Sequence, residues 1–190
     1  MRRLPENYSI ERYGLFARLV NETDAEFIVK LRTDPYLKRY IGATDGSIEA
    51  QKKWIKEYKI REEEGTDYYF IFYKDGKRIG LNRIYNINGH SLQTGSWLFS
   101  HDAPFGSAFI AQVILREIVF IDWGFDYEDA KGGVHVENKN VRRFNKLAGM
   151  KETGRYFTEA GEFISLGLSK EDFLKGRSKI MRLLGINELY

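Results

Sequence analysis

Ala103-Pro-Phe-Gly-Ser-Ala108 is the stretch best equipped for chemistry, because a glycine and small side chains stand just before a long apolar helical pattern. Backbone N–H groups at a helix start lack intrahelical partners and lie at the positive end of the helix dipole. With little bulk at Gly106, Ser107 and Ala108, a phosphate or diphosphate can reach them. Most glycine-containing strand-to-helix turns bind nothing, so the stretch gains meaning only from its surroundings. Other chemistries are narrowed by what the chain lacks. It has no cysteine, which removes disulfides, thiolate metal sites and a cysteine nucleophile together. No His-x-x-His or histidine–carboxylate spacing suits a metal, and there is no Gly-x-Ser-x-Gly elbow, so no metal site is expected.

The 190 residues, 43% hydrophobic and 15% aromatic, suffice for one packed domain and are too few for two, so a single domain over 1–190 is expected. Thirty Lys and Arg against 27 Asp and Glu leave a net charge of +3, too small and too scattered for a nucleic-acid groove or a membrane patch. Residues 1–13 contain no apolar signal core, and no apolar run nears the ~20 residues that span a bilayer. A cytoplasmic protein is the resulting expectation.

The elements that must position the Gly106 turn can be followed along the chain. Residues 14–20 alternate as a first strand, and Thr23 to Glu26 reads as a capping box opening a helix that Asp34-Pro35 stops. Ser47 caps a second helix running to about Glu64, and Gly65 ends it. An aromatic strand from Asp67 to Tyr73 turns at Asp75-Gly76 into a third strand, Arg78 to Ile87. Asn88-Gly89 then turns into a fourth, His90 to about Phe99, in which Gly95 marks a β-bulge or a close approach by a ligand. The apolar helix runs from about Ser107 to Trp123, and Val134 to Val136 makes a short fifth strand. A helix from about Asn140 to Ala148 stops at Gly149. A closing hairpin (Lys151 to Phe157, Phe163 to Leu168) precedes a C-terminal helix capped at Ser169. The succession predicts an α/β (α+β) fold, a mixed sheet with helices on both faces.

This succession resembles the GNAT acetyltransferase superfamily, whose members carry a Q/R-x-x-G-x-G/A loop after the fourth strand. Here the loop keeps Gly106 and the final small residue Ala108, and has Ala103 in place of Gln or Arg. The family's second signature, an Asn ending the fifth strand and a helix ending in Gly-Phe, is matched by Asn138 and Gly149-Met150. The likeness spans residues 14–168 and looks greatest to the branch of ribosomal-protein and amino-sugar N-acetyltransferases. It implies a mixed, mainly antiparallel central sheet of about seven strands, a core over about 14–168 and a C-terminal helix over about 170–184. By the same resemblance, Trp97, Leu98 and Phe99 would bind the pantetheine of acetyl-CoA as an added strand. The amides of Phe105, Gly106, Ser107 and Ala108 would cradle the pyrophosphate. Asn138 would hold the pantetheine arm, Phe144 would pack near the thioester, and Arg142 or Arg143 would lie near the phosphates. Core packing is an equal explanation of Phe144.

Acyl transfer from a thioester needs a neutral amine, a polarised carbonyl and a proton for the leaving thiolate. An α-amine of pKa ~8 is about a tenth neutral at pH 7, against less than about a thousandth for a lysine amine of pKa ~10.4, so a weak base serves an N-terminal or sugar amine. His135 is the first choice of base and His90 the second. Many relatives place a tyrosine acid where this chain has Asn145, so either another group donates the proton, Tyr156 being a candidate, or the thiolate departs to solvent unaided, or catalysis has been lost. Tyr68 to Tyr73 and Tyr85 either line an acceptor cleft or fill the core. The expected acceptor is an amino sugar, free or nucleotide-linked, in a closed aromatic-and-Arg pocket. The alternatives are a protein N-terminal acetyltransferase with an open acidic groove, and a non-catalytic acyl-CoA-binding module. The partners expected are acetyl-CoA and a small-molecule amine, with no nucleic acid and no membrane, and a homodimer left open.

Overall fold

Two-residue turns with positive φ at both positions fold the N-terminal half into a meander. Tyr13-Gly14 (φ 55° and 71°) turns β1 (Ser9–Arg12) onto β2 (Leu15–Leu19). Asp75-Gly76 (φ 49° and 75°) turns β3 (Tyr68–Lys74) onto β4 (Lys77–Tyr85). Turns of this hand match the right-handed twist of the strands they join. With β5 (Gln93–Phe99) these strands make an antiparallel sheet in the order β1-β2-β3-β4-β5. A second antiparallel sheet, in the order β6-β8-β7, contains β6 (Tyr127–His135), β7 (Lys151–Thr158) and β8 (Gly161–Ser169). This computed structural model describes residues 3–42, 44–89 and 91–186, and the backbone alone of 130–132.

The first sheet is buried on both faces, which is why β3 is aromatic or aliphatic from Tyr68 to Tyr73 without a break. Tyr69 and Ile71 face α1 (Ala25–Thr33) and α2 (Ile48–Glu64), together with Ile28, Leu31, Ile55 and Tyr58. Phe70 and Phe72 face the other way. There they join Ile114, Ile118 and Phe120 of α3 (Ser107–Glu117) and its π-helical continuation, and Phe173 of α5 (Lys170–Leu183). A fifth helix, α4 (Lys139–Leu147), packs through Phe144 and Ala148 onto Val113, Ile180 and Met181.

Among the described residues eight strands replace the seven expected. The added strand β1 carries a single aliphatic residue and is recognisable only by its pairing with β2. Another difference is that β6 starts at Tyr127, well before Val134. Its early half is hidden from any apolar pattern because Glu128, fully buried, is paired with the equally buried Arg116 at 2.8 Å and accepts from Thr94 Oγ1 at 2.5 Å. The N-terminal capping box lies earlier than expected as well. Asn21 accepts from Thr23 N–H and Asp24 returns a bond to Asn21 N–H, ahead of α1. Ser47 and Ser169 cap α2 and α5 as anticipated. Strand pairing stops at Tyr85↔Gln93, so Asn88-Gly89 belongs to a longer loop in which Asn88 N–H reaches Ser91 O at 3.0 Å. His90 lies outside the described residues.

Among the described residues one backbone bond joins the two sheets edge to edge. Asp129 N–H donates to Leu92 O at 2.8 Å, beside the Thr94–Glu128–Arg116 bonds. Beyond it β5 and β6 share no ladder, so Trp97 to Phe99 and Val134 to His135 end on two separate arms. Among the described residues no helix is long and apolar enough to cross a membrane. Glu128→Ala is expected to strand the Arg116 guanidinium in the interior and to lower stability by about 3–5 kcal/mol. Equilibrium urea unfolding measures this, and a loss under about 1 kcal/mol would deny the pair its role at the junction.

Candidate active site

A bulge in β5 sits beside the divergence of the arms. Leu81 pairs with Leu98 and Arg83 with Gly95, so Asn82 alone faces both Ser96 and Trp97. Ser96 takes up the extra length with φ at 51°. A bulge of this kind leaves one residue outside the ladder and re-aims its neighbours. Gly95, next to the bulge, lies under a side chain. A Cβ there would lie 3.0 Å from Cε1 of Tyr85, whose ring covers it.

On the α1–α2 side the bulge opens into a cavity of about 340 Å³. Trp54, Tyr69, Arg83, Ser96, Arg32 and Asp45 line it. Arg83 lies over the faces of both Trp54 (5.1 Å) and Tyr85 (4.8 Å), and its Nε donates to Asp67 at 2.7 Å. Arg61 holds the same carboxylate at 3.0 Å, so the position of Arg83 is fixed from two directions. Tyr69 is only 2% exposed, and its hydroxyl, which faces the Ser96 side chain, makes no hydrogen bond of normal geometry. Burial pushes its pKa up to about 12, which keeps it protonated.

The second arm presents His135, Phe163 and Tyr156 side by side, with Tyr156 stacked on Phe163 at 5.5 Å. Tyr40, from the segment between α1 and α2, lies over His135 at 5.1 Å. His135 Nε2 bonds Ala160 O at 2.9 Å, and Nδ1 accepts from Glu137 N–H at 3.1 Å. A carbonyl accepts and an amide donates, so both ring nitrogens are already engaged by main-chain groups. Tyr156 faces the cleft differently. It is close enough to Tyr85 to add to a pKa that burial raises most and Arg83 opposes.

On the α3 side, Gly106 is the N-cap of α3 with φ at 84°, and no side chain caps the first turn. Ser107 N–H is directed back to Pro104 O at 3.1 Å. Phe105 is 92% exposed beside it. A Cβ on Gly106 would lie 2.8 Å from Cδ2 of Leu184, so the glycine also makes room for the end of α5. Trp97 Nε1 donates to Ala108 O at 2.9 Å and joins β5 to the same turn. Phe144 packs against Trp97 (4.9 Å) and stacks on Phe109 (5.0 Å), a place in the core. Leu98 turns to the α1–α2 core, and Phe99 covers Gly80. Asn138 caps α4 by accepting from Val141 N–H at 3.3 Å. Arg143 lines a cavity of about 580 Å³ with Lys139, Arg142 and Lys146, over apolar Ile164 and Leu166. It lies across the sheet from His135, since Val134 and Ile164 pair on that face.

The sequence reading missed Trp54, Arg32, Asp45, Arg83 and Ser96 as a group. They come from α1, the following segment, α2, β4 and β5, and Gly95 was the one local signal near them.

Two sheets parting at a bulge, with an uncapped helix start on one face and an aromatic, arginine-lined cavity on the other, define an N-acyltransferase framework. Residues 15–151 match the profile of the acetyltransferase (GNAT) domain, and the chain belongs to that family. Among solved structures it is similar to apo FdhC, a nucleotide-linked sugar GNAT, at 30% identity over 94% of this chain and 99% of that one, with a TM-score of 0.78. It shares the fold of the ribosomal-protein-S5-alanine acetyltransferase of Vibrio fischeri (17% identity, 88% and 99% covered, TM-score 0.74). The same holds for Mycobacterium smegmatis RimJ in complex with CoA-disulfide (17%, 90% and 89%, TM-score 0.77). Comparison with curated proteins gives no match.

Gly106→Val is expected to weaken acetyl-CoA binding at least about tenfold, read by calorimetry, and to cost about 1–2 kcal/mol from the left-handed backbone. Unchanged affinity would remove the turn from the donor site. His135→Ala is expected to lower the melting temperature while leaving the pH–rate profile in place; loss of an acidic limb would restore it as the base.

Proposed function

We propose that the chain transfers an acetyl group from acetyl-CoA to a primary amine of an amino sugar, free or nucleotide-linked. The observation that carries this reading is the cavity at the Ser96 bulge, bounded by Trp54, Tyr69, Arg32 and Arg83. Aromatic faces suit sugar rings, and guanidinium groups suit phosphate and hydroxyl oxygens. Two arginines against Asp45 make a poor host for the N-terminal ammonium of a peptide, which calls for an acidic groove. The 30% identity to a nucleotide-linked sugar GNAT points the same way.

The residues present suit the donor. The uncapped start of α3 offers amides and a positive dipole end to the diphosphate. Arg143 and its basic neighbours add charge. The outer edge of β5 at Trp97 to Phe99 carries no neighbouring strand and is free to bond pantetheine amides. The bulge would turn a main-chain N–H toward the thioester carbonyl and stabilise the charge that develops on its oxygen. Proton removal falls to solvent near the cavity mouth, sufficient for an amine of pKa ~8. Tyr156, on the opposite arm, remains the proposed proton donor to the departing thiolate.

Acetyl-CoA in excess is expected to raise the melting temperature. Thiol release should then be fastest with glucosamine or a nucleoside-diphosphate-linked amino sugar, and slower with an alanyl or seryl peptide. A peptide preference would favour the ribosomal-protein type of acceptor, and absence of any thermal shift would defeat the donor assignment.

A further inference from the structure

We propose that Tyr69 selects the acceptor, its hydroxyl donating a hydrogen bond to an oxygen on a carbon next to the reacting amine. The cavity would thereby prefer a vicinal amino alcohol to a plain amine. This rests on the reading of the Ser96 cavity as the acceptor site.

Four buried side chains hold polar atoms without partners among the described residues, at Tyr69, Asn82, Gln112 and Arg116, and only that of Tyr69 lines the cavity. A buried hydroxyl left unbonded destabilises a fold, so its retention points to a partner that arrives from outside. Its aim is set by the surroundings. The Tyr69 backbone N–H donates to Tyr58 Oη at 2.9 Å, Tyr58 in turn donates to Glu62, and the Tyr69 ring meets Trp54 edge-on at 5.9 Å. A side chain so constrained cannot swing away to satisfy itself elsewhere. Because burial holds the phenol protonated, it gives a proton bond and does not act as a base. Ser96, at the bulge where the amine must meet the thioester, is its neighbour. An oxygen within reach of Tyr69 is therefore two carbons from the nitrogen under attack. Asp45, exposed on the cavity wall, is placed to attract the ammonium form before it loses its proton.

The test uses full-length wild type and Tyr69→Phe with the amino sugar that wild type acetylates fastest, and with analogues deoxygenated at each carbon flanking the amine. Wild type is expected to lose at least about tenfold in kcat/KM on one analogue. Tyr69→Phe should lose as much on the parent sugar and nothing further on that analogue. Its melting temperature without ligands should stay level or rise, since the hydroxyl has no internal bond to lose. Additive losses, no loss, or a lowered melting temperature would each overturn the proposal while leaving the sugar reading in place. If no amino sugar is acetylated while acetyl-CoA still binds, the sugar reading fails and takes this proposal with it.

Discussion

Leu92, just before β5, and Thr94 within it meet Asp129 and Glu128 of β6, and from that junction the two sheets go separate ways. Two strands that part must leave backbone groups unpaired along their facing edges. Exposed edges are normally hidden or charged. Here the edge faces a cleft, where a ligand's amides can take the place of the missing strand. The Arg116–Glu128 pair that helps hold the junction shut is the kind of interior charge pair that specifies geometry more than it adds stability.

The two faces of the first sheet carry different candidate groups. On the α3 side the uncapped helix start, the bond from Trp97 Nε1 to Ala108 O and the packing of Leu184 on Gly106 bring β5, α3 and the end of α5 to one turn. On the α1–α2 side, Asp67 holds Arg61 and Arg83, and Trp54 lies under both guanidinium groups. The bulge connects the faces, because Ser96 belongs to the cavity and the following Trp97 to the packing on the other side. Rigid strands and a long helix carry the candidate groups, which suits chemistry that depends on alignment.

Turn chemistry and helix caps were open to reading because each depends on residues close in the chain. Asp75-Gly76, Ser47, Gly65 and Ser169 act where their types indicate. The same local logic failed at β1, whose single aliphatic residue carries no period, and at β6, where a charged strand is buried through a partner on α3. It was blind to the setting of His135 too. A histidine on a strand end reads as reactive until Ala160 and Glu137, separated along the chain, are seen to occupy both nitrogens.

By itself, the sequence determined the order of most strands and helices, the glycine-bearing helix start and the resemblance that rests on Gly106, Ala108 and Asn138, all matters of neighbours and period. Tertiary structure alone decided which side chains share a cavity. Arg32, Asp45, Trp54, Tyr69, Arg83 and Ser96 come from six places along the chain, and only the packing of two helices on a bulged sheet brings them together. A hydrogen-bonding group left without a partner is likewise invisible in a sequence, because its lack is a property of everything around it.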